Sequence, residues 1–158
     1  MEQRILVPLD GSKVGETALP SVEDLVSKLL PGSKVEITLL QVVSSLTHYI
    51  IAGEAGVQIP YTEKELEQIE KRATDYLEKT GESLKSKGAT VKIKTGIGNP
   101  ADEIIRVANE INANLIAMST HGRSGISRWA FGSITDRVLR GATQPILLVR
   151  APREAQKT

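Results

Sequence analysis

The sequence contains no cysteine. This absence excludes disulfide bonds, thiolate metal sites and a cysteine nucleophile, and it is compatible with a reducing compartment. No apolar run approaches the roughly 18 residues that a membrane span needs, and the first residues lack the apolar stretch of a secretory signal. We therefore expect a cytoplasmic protein that does not associate with membranes.

Aromatic residues are scarce, at 3% of the 158 residues, so the core must be built from Leu, Ile, Val and Ala. Neither sign of charge is in excess, because 20 basic and 19 acidic residues leave a net charge of +1. No global field is available to gather nucleic acid, and any anion site must be local. The length suits one domain.

Short apolar runs alternate with segments of helical periodicity along the chain. Runs of this kind are typical of strands buried in a parallel sheet. They predict five strands, at Ile5–Leu9, Val35–Val43, Val91–Thr95, Leu115–Met118 and Pro145–Val149.

Four helices are predicted between these strands. Ser12 can cap the first, which contains Pro20 as a probable kink site, and Thr62 opens the second with the capping-box spacing to Glu65. Asn99 is a suitable N-cap for the third, with a proline at its first helical position. The fourth covers Ile134–Leu139.

This alternation predicts an α/β fold of one domain, residues 1–150, with an open five-stranded parallel sheet and helices on both faces. The expected architecture is Rossmann-like, with strand order 3-2-1-4-5. Residues 44–61 contain glycines and a proline without a sustained period, and we interpret them as a flexible flap. Residues 151–158 are expected to form a frayed tail.

Ligands of such sheets bind beyond the carboxyl ends of the strands, where the strand order reverses. In the predicted order that point lies between the first and fourth strands. The segments that follow them are Asp10–Ser12 and Met118–Ile134, and the second contains three glycines and two arginines. We expect a binding crevice between these two segments.

The glycines of Met118–Ile134 favour a phosphate site. Gly122 and Gly125 allow close backbone approach, and Gly132-Ser133 opens a helix whose N-terminal N–H groups attract anions. The alternatives are that Ser133 only caps the helix and that Arg123 is only solvated. A second glycine pattern, Gly96–Ala101, matches the dinucleotide fingerprint, but a turn and a helix cap explain it.

Four segments together resemble the universal stress protein family: ILVPLDGS, LLQVV, GNPADEII and the stretch from Met118 to Val149. The ATP-binding branch of that family carries the motif Gly-x2-Gly-x9-Gly-Ser/Thr. Nine residues separate Gly122 from Gly132-Ser133 here. The first glycine of the motif is replaced by Ser119, whose side chain can either crowd a ribose or hydrogen-bond to it.

The resemblance implies a site for ATP with Mg²⁺, the metal being held mainly by phosphates and not by a protein metal site. His121 adds a group that can contact phosphate or transfer a proton, although a loop histidine can equally do neither. The implied wall and adenosine contacts are Pro8, Leu9, Asp10 and Val42, the ribose contacts are Met118 and Ser119, and the triphosphate contacts are Gly122, Arg123, Gly132, Ser133 and Ile134.

The resemblance also implies a homodimer paired through the last strand, Pro145–Arg150, an apolar edge that would otherwise favour aggregation. It favours a nucleotide-dependent stress or signalling module with an unidentified client protein. Two alternatives remain: a slow ATPase or phosphotransferase, and a dimeric interaction module that binds no nucleotide.

Overall fold

The computed structural model of the protein describes residues 1–44, 47–52, 55–121 and 131–151. Strands and helices alternate along most of this part of the chain, and a 3-10 turn at Gly15–Ala18 precedes the first helix. The strands are β1 Glu2–Pro8, β2 Lys34–Val43, β3 Thr47–Ala52, β4 Ala55–Pro60, β5 Thr90–Ile97, β6 Leu115–Ser119 and β7 Ile146–Val149. The helices are α1 Leu19–Leu29, α2 Glu63–Ser86, α3 Pro100–Glu110 and α4 Ser133–Gly141.

Five parallel strands form the main sheet in the order β5-β2-β1-β6-β7. Counted among themselves along the chain, these strands have the predicted order 3-2-1-4-5. The labels differ because β3 and β4 form a separate antiparallel hairpin that the sequence did not predict. The predicted α/β architecture is therefore confirmed.

The central strand β1 pairs unequally with its two neighbours. Its ladder with β2 runs from Glu2 to Pro8, whereas its ladder with β6 contains only the pairs Ile5 with Leu115 and Leu6 with Ile116. Beyond Leu6 the two strands are no longer hydrogen-bonded to each other. The sheet therefore opens at its carboxyl edge, at the point where the strand order reverses.

Helices cover both faces of the sheet, as predicted. On one face Val26 of α1 and Leu77 of α2 pack against Ile37, and all three side chains have no exposed surface. On the other face Ile104 of α3 and Val138 of α4 pack in a second cluster of buried apolar residues. Each cluster removes aliphatic surface from water, which is the main favourable term in folding.

The helix starts follow the sequence closely at α2 and α3. Thr62 and Glu65 form the predicted capping box, and the Asn99 side chain accepts from the N–H of Asp102. The predicted kink at Pro20 is wrong, because this residue lies in the first turn of α1, where its missing N–H costs no helical hydrogen bond.

Two peripheral segments differ from their predicted descriptions. The predicted flap, residues 44–61, contains the β3–β4 hairpin. Ala151 of the predicted tail is 3% exposed, and its N–H lies 3.4 Å from the Thr120 hydroxyl oxygen that accepts from it. Residues 152–158 lie outside the described part of the chain. In that described part no helix is long and apolar enough to cross a membrane.

Replacing Thr62 with alanine tests the helix start that stands beside the carboxyl edge. The Thr62 hydroxyl accepts from the Glu65 N–H at 3.2 Å, and its own N–H donates to the Glu65 carboxylate at 2.7 Å. Thr62→Ala should lower the free energy of unfolding by about 1 kcal/mol, because the exposed N-terminus of the helix loses its cap. Urea denaturation measures the change. Thr62→Ser retains the hydroxyl and should stay within about 0.5 kcal/mol of the parent protein; an equal loss in both variants would contradict the capping role.

Candidate functional site

A cavity of about 750 Å³ opens at the carboxyl edge, where β1 and β6 separate. Gly122 and Arg123 lie outside the described residues, so the structure places neither. The other ten residues predicted for the site all line the cavity: Pro8, Leu9, Asp10, Val42, Met118, Ser119, His121, Gly132, Ser133 and Ile134. These residues come from four separate parts of the chain, which the sheet brings together.

The Asp10 carboxylate is fixed by the turn that follows β1. Its Oδ1 atom accepts from the Ser12 N–H at 3.0 Å and from the Ser12 hydroxyl at 2.5 Å. The Ser12 hydroxyl oxygen in turn accepts from the Gly15 N–H at 3.0 Å. The Ser12 hydroxyl therefore accepts from the first residue of the 3-10 turn. It does not cap α1, so the cap that the sequence predicted there is wrong.

Gly15 allows this close packing because it has no side chain. A Cβ atom at Gly15 would lie 2.5 Å from Asp10 Oδ1, well inside van der Waals contact. Because Gly15 has no side chain, the Asp10 carboxylate has room to lie at the cavity wall.

The end of β6 folds back on itself through hydroxyl groups. Ser119 is 6% exposed, and its hydroxyl donates to the His121 carbonyl at 2.5 Å. The neighbouring Thr120 hydroxyl lies 3.0 Å from His121 Nδ1. The Ser119 hydroxyl therefore uses its proton in a hydrogen bond to a backbone carbonyl, and the Ser119 side chain fits in the buried turn.

Helix α4 begins at the opposite wall of the cavity. Gly132 is the N-cap residue and makes no side-chain cap, so Ser133 is the first helical residue and the alternative that its side chain caps α4 is wrong. The first N–H groups of a helix have no intrahelical acceptor and form the positive end of its dipole. This wall of the cavity can therefore bind an anion.

One wall of the cavity was missed by the sequence reasoning. It consists of Tyr61, Ile69, Arg72, Ala73 and Tyr76, which lie on α2 or immediately before it. Ile69, Ala73 and Tyr76 lie at helical spacing and read from the sequence as the apolar stripe of α2, which packs on the core. The signal that could have found the wall is Arg72, a cation at a stripe position three residues after Ile69.

Tyr76 connects this wall to the turn that holds Asp10. Its hydroxyl donates to Glu16 Oε1 at 2.9 Å. Burial, together with the hydrogen bond to Glu16, raises the pKa of the Tyr76 hydroxyl well above its ordinary value, so the group stays a protonated donor. Helix α2 and the 3-10 turn are therefore joined beside the cavity.

The second glycine pattern forms a turn and a helix cap. Gly98 has a φ of 129°, which favours glycine, and the Asn99 side chain accepts from the Asp102 N–H at 3.1 Å. Pro100, at the first position of α3, lines the cavity but has no N–H to donate to a phosphate. The turn and cap explain this segment without a dinucleotide.

The charged groups of the described cavity wall are few. Asp10 is the one carboxylate among its described lining residues, and Arg72 is the one arginine or lysine. Within the described ranges no group of three or more histidine or acidic residues could hold a metal ion. A divalent cation in this cavity would therefore need most of its ligands from a bound molecule or from water.

An open parallel α/β sheet with a cavity at its switch point defines a class of ligand-binding proteins. Within that class, the family model for the universal stress protein family matches residues 1–150. The chain therefore belongs to the universal stress protein family.

Individual relatives match along almost the whole chain. Universal stress protein MJ0577 of Methanocaldococcus jannaschii is 28% identical over 159 residues, which cover 95% of this chain and 96% of the relative. Universal stress protein YxiE of Bacillus subtilis is also 28% identical, over 95% of this chain and 100% of its own length. The solved structure of MJ0577 superposes with a TM-score of 0.73 at 23% identity, covering 96% of this chain and 97% of that one.

Several similar structures contain a nucleotide. A family protein from Arabidopsis thaliana with AMP bound has a TM-score of 0.63 at 14% identity, over 96% of this chain and 93% of its own. The protein from Archaeoglobus fulgidus in complex with dAMP has a TM-score of 0.56 at 18% identity, and the match covers 92% of this chain and 96% of that one. A universal stress protein in complex with cAMP has a TM-score of 0.59 at 20% identity, and the match covers 95% of this chain and 98% of that one. At these identities the likeness shows the fold.

Replacing Gly15 with alanine tests the packing of the Asp10 turn. The added Cβ would meet Asp10 Oδ1, so Gly15→Ala should displace the carboxylate and lower the free energy of unfolding by about 1–3 kcal/mol. Chemical denaturation measures this loss. Gly32→Ala is the matched control, since a Cβ there meets no atom within 4 Å, and its stability should change by less than about 0.5 kcal/mol. Equal stabilities of the two variants would contradict the close approach.

Proposed function

We propose that the protein binds an adenine nucleotide, ATP with Mg²⁺, in the cavity at the carboxyl edge of the sheet. The observation that supports the proposal is that nine residues implied by the family resemblance, scattered between Pro8 and Ile134, line one cavity together with His121. The pocket also lies where open α/β sheets bind ligands.

The α4 wall supplies a place for the phosphates. The N-terminus of α4 offers N–H groups and the positive end of the helix dipole, and the Ser133 hydroxyl stands at its first position. The spacing of Gly122 and Gly132-Ser133 fits the motif of the ATP-binding branch. Gly122 and Arg123 would add backbone and cationic contacts from the intervening segment.

The opposite end of the cavity suits a base and a sugar. Val42 and Met118 offer apolar surface to a flat ring, while the Asp10 carboxylate can accept hydrogen bonds from an adenosine moiety. Because Asp10 is the one carboxylate among the described lining residues, Mg²⁺ would be held mainly by phosphate oxygens and water. The residues present therefore fit a nucleotide that brings its own metal.

The solved relatives support an adenine ligand more strongly than a particular number of phosphates. The three nucleotide complexes contain AMP, dAMP and cAMP. All three ligands share adenine and a single phosphate, and they differ in the sugar or in the phosphate ester. The choice of ATP for this chain rests on its glycine motif.

The biological role that we propose is a cytoplasmic, nucleotide-dependent stress or signalling module that acts as a homodimer. Strand β7 is one edge of the sheet, so its outer backbone groups are free to pair with a second copy. Pairing through Pro145–Arg150 would cover this edge. Size-exclusion chromatography with light scattering tests the dimer; a monomer at micromolar concentration would contradict it.

A slow ATPase is the second candidate, because two groups capable of proton transfer, Asp10 and His121, line the same cavity. Phosphoryl transfer also needs a positioned nucleophile and neutralised charge. Phosphate release measured over hours separates the two functions, since repeated turnover would favour the enzyme and less than one phosphate per protomer would favour the binding module. The nucleotide-free interaction module remains the third candidate, and the absence of nucleotide binding would favour it.

The direct test of the proposal is the identity of any nucleotide that copurifies with the protein. We expect adenine nucleotide to be released when the pure protein is denatured, and calorimetry with ATP and Mg²⁺ to show saturable binding by the stripped protein. Absence of both signals would overturn the proposed function.

Replacing Gly132 with valine tests the position of the phosphates. Its φ of −57° is available to any residue, and a Cβ there would make only ordinary contacts, 3.6 Å from the Thr120 carbonyl oxygen. Gly132→Ala should therefore fold and retain most binding, whereas the larger side chain of Gly132→Val should occupy the space in front of α4. We expect Gly132→Val to lower ATP affinity at least about tenfold, equivalent to about 1.4 kcal/mol. Calorimetry measures this difference, and an undiminished affinity would contradict the geometry.

A further inference from the structure

Two buried hydroxyl groups form hydrogen bonds at the end of β6: the Ser119 hydroxyl bonds within the turn that follows β6, and the Thr135 hydroxyl joins α4 to β6. The Ser119 hydroxyl donates to the His121 carbonyl at 2.5 Å, and the Thr135 hydroxyl donates to the Ser119 carbonyl at 3.2 Å. Ser119 is 6% exposed and Thr135 is 3% exposed. We call this pair of hydrogen bonds the hydroxyl clasp.

A backbone hydrogen bond lies beside the clasp. The Gly132 N–H donates to the Thr120 carbonyl at 3.1 Å. The end of β6 and the first turn of α4 are therefore fixed to each other by the Thr135 side chain and by the Gly132 N–H, while the Ser119 hydroxyl fixes the turn that follows β6. Whatever binds in front of α4 meets a helix end whose place relative to β6 is already determined.

We infer that Ser119 and Thr135 are positioning residues that hold the N-terminus of α4 in place for the phosphate of a bound nucleotide. This inference rests on the proposed function and extends it to two hydroxyls that would not need to contact the ligand. Buried hydroxyls are costly unless they are hydrogen-bonded, and here the Ser119 hydroxyl donates to the His121 carbonyl and the Thr135 hydroxyl donates to the Ser119 carbonyl. Their bonds orient the helix end before the ligand arrives, so less ordering is required on binding.

Ser119 consequently has a use at the position where the family motif has glycine. A glycine would remove the hydroxyl bond to His121 and would add backbone freedom at the end of β6. The serine is thus a replacement that stabilises this turn. Ser119→Gly, which would maintain or improve binding if serine were merely tolerated, is expected to weaken it.

The test compares AMP with adenosine, because only AMP carries the group that reaches α4. Ser119→Ala removes one bond of the clasp, and Thr135→Val removes the other with little change in shape. We expect each variant to weaken AMP binding about three- to tenfold, the range for loss of one hydrogen bond, and Thr135→Val to weaken adenosine binding by less than about twofold. Ser119→Gly should weaken AMP binding at least as much as Ser119→Ala. Calorimetry or ligand competition measures both affinities.

Two controls separate positioning from general damage. Thr135→Ser retains the donor and should restore AMP affinity, whereas Thr143→Val makes the same chemical change at an exposed residue and should leave both affinities unchanged. Hydrogen exchange without ligand should show faster exchange of the first-turn amides of α4 in Thr135→Val. Thermal unfolding of each variant establishes that it is folded.

The outcomes distinguish this inference from the proposed function. Equal losses for AMP and adenosine in Thr135→Val, unchanged AMP affinity, or tighter binding by Ser119→Gly would overturn the clasp while leaving nucleotide binding intact. If the wild-type protein binds neither AMP, ATP nor adenosine, the proposed function fails and the inference fails with it. Selective loss of AMP affinity, restored by Thr135→Ser, would support both.

Discussion

The short ladder between β1 and β6 is the constraint on which the rest of the site depends. The two strands pair only through Ile5 and Leu6 of β1, so the sheet is open beyond them. Reversal of strand order places the two crossovers on opposite faces of the sheet, and a cavity remains between them at this opening. The backbone groups that would have paired there border the cavity instead. The position of the site is therefore a consequence of topology, before any side chain is considered.

Small and hydroxyl side chains then give the opening its shape. At the β1 wall the missing side chain of Gly15 leaves room for the Asp10 carboxylate, which two donations from Ser12 hold in place. At the β6 wall the hydroxyls of Ser119 and Thr135 satisfy carbonyls that the open sheet would leave without partners. Both walls are stabilised by local polar bonds, which is how a concave polar site persists beside an aliphatic core.

Local signals in the sequence predicted the strands and helices of the main sheet, and their alternation predicted the strand order. The apolar runs, the cap at Asn99 and the glycine spacing before Ser133 depend on neighbouring residues, whereas most of the described cavity residues were implied by the family resemblance. The β3–β4 hairpin lacks a sustained alternation, and it was missed. The α2 wall was missed for another reason: Arg72 approaches the cavity only because α2 packs across β2, and no local pattern records which part of an apolar stripe faces a cavity.

The described residues on either side of the segment 122–130 are joined by local hydrogen bonds. Its two flanks are held together by the Gly132 N–H bond to Thr120 and by the Thr135 bond to Ser119. Bringing the ends of a segment together costs entropy that grows slowly with its length. Because these bonds form with the fold itself, that cost is met in folding and does not reduce the affinity for a ligand. The pairing of the described residues 119–121 with the start of α4 is therefore part of the fold and does not depend on a ligand.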